Sequence, residues 1–234
     1  AAWLSPSAAD PVHLERAIAD VRRALELRPL GLRDALDATE ILRQLGVVSN
    51  SDSLRDEAER VIDTLVAEGS LGVAFAAAES RRAWWRFETD RARTLAARIN
   101  PDADDADAVG WRSFLLRKHE TTEIAGGDPA ERFWTGLTRA QSLLDQEAQP
   151  AAIKAALDPL ASAATVLDSD PGLRDHADLV ALLHAEALFR AGLLDSADAV
   201  VTGATRESGE RERARLQTMR VQISAARGEI QRAE

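Results

Sequence analysis

The chain has 234 residues, of which 45% are hydrophobic and 4% aromatic, and 39 acidic against 29 basic residues give a formal charge of -10. Abundant alanine and leucine favour helices over sheets, and the acidic balance argues against nucleic acid as the partner. Cysteine is absent, which excludes disulfides and thiolate sites, and no apolar run approaches the roughly 20 residues that span a bilayer.

The apolar pattern is helical along nearly the whole chain. Between residues 12 and 28, apolar side chains recur at spacings of three and four, which predicts a helix with one buried stripe. Further helices are predicted at 32–45, 51–68, 71–99, 106–124, 129–148, 151–167, 172–191, 194–207 and 210–227. No strand is predicted, so the expected fold class is all-α.

Two breaks between these helices are informative. The widest is the acidic segment 100–110, NPDADDADAVG, which we interpret as a loop and a candidate hinge between two halves. The second lies in AGGDPAERF, where Asp128 is expected to cap a helix whose first residue is Pro129.

Spacings of small and large residues recur along the chain. The first predicted helix carries a small, large, small and proline pattern at Ala17, Val21, Ala24 and Pro29. Prolines close similar helical endings at Pro101 and Pro171, at intervals of about two 35-residue units.

A complementary pattern lies near the C-terminus. In AEALFRAGLLDSADAV it is formed by Ala185, Leu188, Gly192, Leu194 and Ala197. The later segment GEIQRA repeats its glycine, aliphatic and alanine spacing at Gly228, Ile230 and Ala233, 36 residues further on.

The two patterns resemble the second helix and the inter-helix turn of a tetratricopeptide (TPR) repeat, over residues 12–29 and 180–234. The resemblance implies a single elongated domain over 1–234, built as a TPR-like α-solenoid of stacked antiparallel helical hairpins with degenerate repeats. Another helical repeat and a non-repeating bundle are the alternatives. The chain lacks an initial methionine and stops inside a repeat, so we expect it to be a fragment of a longer protein.

The segment ESRRAWWRFETDR combines adjacent tryptophans with arginines, and its candidate partner-binding residues are Arg81, Arg82, Trp84, Trp85 and Arg91. Neighbouring residues on a helix diverge by about 100°, so the two rings should not share a face. We expect one ring to be well buried and the other partly exposed beside an arginine. The alternatives are packing with surface ion pairs, a patch that anchors a peptide through its carboxylates, and stacking on single-stranded nucleic acid.

The other aromatic residues have spacings typical of core packing. They are Trp111, Phe114, Phe133 and Trp134, in the helices that follow the acidic segment.

Catalytic and metal motifs are sparse. HETTE, which begins at His119, is similar to the zincin HExxH stretch but lacks its second histidine, so no metal is expected there. His176 and His184 are interpreted as packing or surface groups on one helix face. No phosphate-binding loop or nucleophile elbow is present, no acidic pair stands out as an acid and base couple, and no cofactor is expected.

These observations predict a non-catalytic binding or scaffolding module that presents a concave groove to a protein or peptide, without nucleic acid or direct membrane contact. The alternative is a regulatory or periplasmic solenoid domain of a larger membrane-bound or catalytic protein. The third hypothesis is an α-helical enzyme with an unrecognised site. The excess of arginine over lysine is typical of a GC-rich bacterial genome, while the compartment and the oligomeric state are left open.

Overall fold

The computed structural model describes residues 11–26, 31–116, 128–145, 150–207 and 210–228. Within these ranges the chain forms eleven α-helices and one 3-10 helix and contains no strand, which confirms the all-α prediction. The helices are α1 (Pro11–Glu26), α2 (Leu32–Val48), α3 (Asp52–Val66), α4 (Gly69–Trp85), α5 (Thr89–Ala97), α6 (Ala106–Leu116), α7 (Pro129–Asp145), α8 (Pro150–Ser169), the 3-10 helix (Pro171–His176), α9 (Ala177–Arg190), α10 (Leu194–Glu207) and α11 (Glu210–Ala226).

The chain divides into two compact units, Ala1–Glu79 and Ser80–Glu234, and the division falls inside α4. In the first unit, α2 packs against α1 and α3. Its core contains the fully buried Leu42 and Ala58. On its surface Arg22 donates two hydrogen bonds, of 2.7 and 2.6 Å, to the carboxylate of Glu57 and thereby ties α1 to α3.

In the second unit, successive helices from α5 to α11 pack against their neighbours in the chain. In addition, α9 contacts α7 and α11, so in this part of the unit a helix also packs against the next helix but one in the chain. Packing between neighbouring pairs is the pattern of a helical-repeat, solenoid-like arrangement. The shared core of α9, α10 and α11 includes Ala185, Ala197, Val201, Leu216 and Ile223, all fully buried.

The predicted aromatic core is confirmed. Trp111, Phe114, Phe133 and Trp134 are at most 4% exposed, and their rings contact one another between α6 and α7. Gly110 allows this contact, because a Cβ atom at that position would lie 2.0 Å from Cδ1 of Trp134.

The predicted helix at 71–99 is wrong, because the structure divides it into α4 and α5. The division occurs at Phe87, whose φ of 65° lies in the left-handed region and cannot continue a right-handed helix. The predicted helix at 172–191 is likewise a 3-10 helix followed by α9, with the Asp170 carboxylate accepting a 2.8 Å bond from the Gly172 N–H at its start.

Two predicted boundaries between helices agree with the structure. Gly192, with φ 77°, occupies the turn between α9 and α10, and α7 begins at Pro129 as expected. The segment 100–110 lies within the second unit, and α6 already begins at Ala106, so its role as a hinge stays a prediction. Residues 117–127 lie outside the described residues, as do Pro29, Ile230 and Ala233 of the predicted repeat patterns.

Candidate functional site

An open cavity of about 370 Å³, here called the groove, lies within the second unit. Its walls come from the end of α4, the turn after it, and helices α5, α6, α7, α9 and α11. Helices far apart in the chain therefore meet around one concave space. Cavities of about 300–1,000 Å³ are typical of sites that bind small molecules or the anchoring side chains of a partner.

Arg215 of α11 is the central polar residue of the groove wall. Its guanidinium carbon lies 4.0 Å from the ring centroid of Trp84 and 4.3 Å from that of Phe87. Its Nε donates a 2.6 Å hydrogen bond to the Trp84 carbonyl oxygen. Two aromatic faces and one carbonyl oxygen thus hold the head of this long side chain in one place.

The charge of Arg215 is only partly compensated. Burial of the guanidinium lowers its pKa to about 10, so Arg215 stays positively charged at neutral pH. Among the described residues no carboxylate lies within ion-pair distance of it, and its two terminal nitrogens donate no hydrogen bond. A half-buried cation that lines a groove and keeps two donor groups available is suited to bind an anionic group.

The rest of the groove lining contains both apolar and polar side chains. Leu182, Leu183 and Met219 supply buried apolar surface from α9 and α11. Arg93 of α5 is a second, exposed cation of the wall, while the carboxylate of Glu186 is bonded to Arg190. Among the described lining residues, the charge left without an ion-pair partner is therefore positive.

The five candidate residues from the sequence are not brought together in the groove. Trp84 lines it, whereas Arg81, Arg82, Trp85 and Arg91 are not among its lining residues. Arg81 is bonded to Asp107 at 2.6 Å, and Arg91 lies 3.7 Å from the carboxylate of Glu88. These two arginines therefore form ion pairs within the chain, and partner contact through the five candidate residues stays a prediction.

The expected separation of the two tryptophan rings is wrong. Trp84 and Trp85 are both partly buried, their centroids are 4.8 Å apart in an edge contact, and both pack against the shared core of α9, α10 and α11. Both residues lie in the last turn of α4, which ends at Trp85, and both side chains reach this core.

A second polar cluster, here called the Asp107 network, contacts the aromatic core. The Asp107 carboxylate accepts hydrogen bonds from Arg81 at 2.6 Å, from Trp134 Nε1 at 3.0 Å and pairs with His176 Nε2 at 2.8 Å. Burial acts to raise the pKa of this carboxyl, but the bond to His176 and the charge of Arg81 outweigh it and hold the pKa well below its usual range.

The Asp107 network joins a histidine and a carboxylate, which is a pairing used in catalysis, but its geometry is that of a structural cluster. His176 is 5% exposed and its ring contacts Phe133 and Trp134. Both carboxylate oxygens of Asp107 are occupied by protein donors. The imidazole is nearly inaccessible to solvent, so we interpret this cluster as part of the packing.

The two histidines do not share one helix face as expected, because His176 belongs to the 3-10 helix and His184 to α9. Burial lowers the pKa of His184. In the part of the chain that the structure describes, no three metal-ligating side chains come together, and His119 lies outside that part. No helix in the described ranges is both long enough and apolar enough to cross a membrane.

Comparisons with protein-family models, curated proteins and solved structures found no match for the chain. The groove is thus characterised by its own geometry. Sequence reasoning missed Arg215, because it lies 131 residues from the tryptophan that it contacts and has no local motif. Phe87 lies within the segment ESRRAWWRFETDR, but the sequence does not indicate its left-handed backbone conformation. Glycine or asparagine usually occupies such a position.

Proposed function

We propose that the chain is a TPR-like helical-repeat module without catalytic activity of its own, which binds a protein or peptide partner in the groove of its second unit. The observation that carries this proposal is the half-buried guanidinium of Arg215 on the wall of an open cavity, where no carboxylate of the described residues pairs with it. The repeated small-residue patterns at both ends of the chain support the repeat assignment.

The groove chemistry favours a peptide that places an acidic side chain next to an apolar one. The carboxylate would pair with Arg215, whose planar donors match a carboxylate, and the apolar side chain would lie against Leu182, Leu183 and Met219. The net charge of -10 works against a nucleic-acid strand, which would present a continuous row of phosphates.

A second candidate is that this module serves a larger protein. A regulatory or periplasmic domain of a membrane-bound or catalytic parent would use the same groove for a segment of that parent or for an associated subunit. The alternative of an enzyme has weaker support, because His176 is buried and neither His176 nor Asp107 lines the groove.

The test is selection of displayed random peptides on the immobilised protein, followed by titration calorimetry with the best synthetic peptide. We expect the selected sequences to be enriched in Asp or Glu within a few residues of Leu, Met or Phe. The substitution Arg215→Gln keeps polarity but removes the charge, so it should weaken binding of that peptide by about tenfold or more.

Arg220→Gln is the matched control, because Arg220 is an exposed arginine of the same helix and lies outside the groove lining. It should leave the dissociation constant unchanged. Failure to select any peptide, or equal binding by wild type and Arg215→Gln, would contradict the proposal.

A further inference from the structure

We propose that Phe87 is a positioning residue of the groove: its ring, held on a strained left-handed turn, fixes the guanidinium of Arg215 in the orientation that receives the ligand. This inference rests on the proposed function for the identity of the ligand, but the positioning itself can be measured without one.

The turn at Phe87 has the backbone pattern of a helix end that normally requires glycine. The Phe87 N–H donates to the Trp84 carbonyl at 3.1 Å, and the Glu88 N–H donates to the Ala83 carbonyl at 3.0 Å. The end of α9 repeats the pattern around Gly192, with corresponding bonds of 3.0 and 2.9 Å. Both are Schellman endings, in which the residue at the left-handed position is usually glycine.

An aromatic residue at this position is unfavourable for the backbone and for solvation. Among the described residues, the other positive φ angles belong to Asn50, Gly69, Gly192 and Gly228. Glycine and asparagine tolerate this conformation, whereas a side chain with a bulky Cβ substituent is strained there. The Phe87 side chain is also 52% exposed, so core burial does not account for its presence.

The ring is nevertheless engaged at one specific place. Phe87 and Trp84 present their faces to the same guanidinium group of Arg215. The Trp84 carbonyl oxygen accepts both the Phe87 N–H and the Arg215 Nε–H, so the turn and the arginine share an acceptor. The turn therefore places both a backbone carbonyl, that of Trp84, and the ring of Phe87 in contact with the Arg215 guanidinium.

This arrangement explains why the strain is located beside the groove. A glycine at position 87 would make the same turn with less strain, but Arg215 would then be held on one face only. A flexible arginine has to be ordered when its ligand binds, which weakens the interaction, whereas a guanidinium that is already held avoids that cost. Strained residues that contact a binding site commonly have such a role.

The substitution Phe87→Gly separates stability from positioning, because it removes the ring and relieves the backbone. We expect the urea midpoint of unfolding to stay equal or to rise. Exchange of the Arg215 Nε–H proton with solvent, followed by NMR, should become about tenfold faster because the covering ring is lost. Affinity for the selected acidic peptide should fall by about tenfold.

Phe87→Asn is the second variant, since asparagine also tolerates the left-handed conformation and has no aromatic ring. It should reproduce the faster exchange and the weaker binding even if the glycine variant folds poorly. Asn50→Gly is the control for the backbone effect, because it makes the corresponding change at the end of α2 in the other unit. It should alter neither the exchange at Arg215 nor peptide affinity.

The results distinguish this inference from the proposed function. Unchanged proton exchange and unchanged affinity in both Phe87 variants would overturn the positioning role and leave peptide binding intact. Faster exchange in both variants, with no peptide selected by the wild-type protein, would support the positioning role and overturn the proposed function.

Discussion

Asp107 shows how a single carboxylate can stabilise several elements at once. Its carboxylate is hydrogen-bonded to Arg81 of α4, Trp134 of α7 and His176 of the 3-10 helix. Its neighbour Trp111 is bonded through Nε1 to Ser80, whose hydroxyl donates to the Ala92 carbonyl. Removing the carboxylate of Asp107 would leave the donors on Arg81, Trp134 and His176 without this acceptor.

The free energy of unfolding should depend on pH through Asp107. Its folded-state pKa is lower than the value of about 3.9 in an unfolded chain, so the stabilisation is present above that pH and is lost as the pH falls. Asp107→Asn should cost about 1–3 kcal/mol near neutral pH, a range that allows for the partial exposure of the side chain. Urea titrations should show this difference narrowing from about pH 6 to about pH 3.

The control for this prediction is Asp175→Asn, at an exposed carboxylate next to His176 in the chain. Its effect on stability should be small at both pH values. If the free energies of unfolding of wild type and Asp107→Asn differ by the same amount at every pH, the charge of Asp107 is not responsible for the stabilisation.

At the scale of helices, the contact of α6 with α7 depends on the absence of a side chain at Gly110. Alanine normally stabilises a helix interior by about 1 kcal/mol relative to glycine. Here the added Cβ would lie 2.0 Å from a buried indole, so the steric cost should prevail and Gly110→Ala should destabilise by about 2 kcal/mol or more. Chemical denaturation followed by far-ultraviolet circular dichroism would measure this.

Gly203→Ala is the matched comparison, because Gly203 lies inside α10 and a Cβ there meets no atom within 4 Å. That variant should gain about 0.5–1 kcal/mol from helix propensity. Similar effects of the two substitutions, in either direction, would contradict the packing described for Gly110.

Helix periodicity predicted most of the elements because a stripe of apolar residues is a local signal. The starts at Pro129 and Leu194 were predicted correctly, since Pro129 and Gly192 mark them in the sequence. The end of α4 was missed because Arg86–Phe87–Glu88 contains no residue that normally ends a helix. The ring of Phe87 contacts Arg215 of α11, and a contact between residues so far apart in the sequence is information that no local window contains.

The candidate site was predictable only in part, and the limit is sequence separation. Trp84 was selected because two adjacent tryptophans are conspicuous in a chain with few aromatics. Arg81 and Arg91 were selected with it, but each has an acidic partner, Asp107 and Glu88. The chain has many arginines, and only the packing of α11 against the end of α4 distinguishes Arg215 from the others.

At the scale of the whole molecule, the formal charge of -10 opposes the approach of an acidic peptide, although Arg215 attracts it at close range. Salt screens the long-range repulsion more effectively than the contact inside the groove. The association rate constant of the selected peptide should therefore rise severalfold between about 20 and 150 mM NaCl, as measured by stopped-flow mixing.

A peptide in which glutamine replaces the acidic residue provides the control, since its association rate should vary little with salt. A steep fall in the rate for the acidic peptide would indicate that a local positive field around the groove outweighs the net charge.

The chain of indole contacts in the second unit has an optical consequence. Trp84 lies 4.8 Å from Trp85 and 6.1 Å from Trp111, which in turn lies 5.9 Å from Trp134, and every one of these pairs meets edge to face. Electronic transitions of rings so close and so fixed couple to one another and give a strong near-ultraviolet dichroism. That signal depends on side-chain order alone. A state in which the helices persist while their packing has loosened would keep its far-ultraviolet spectrum and lose this band.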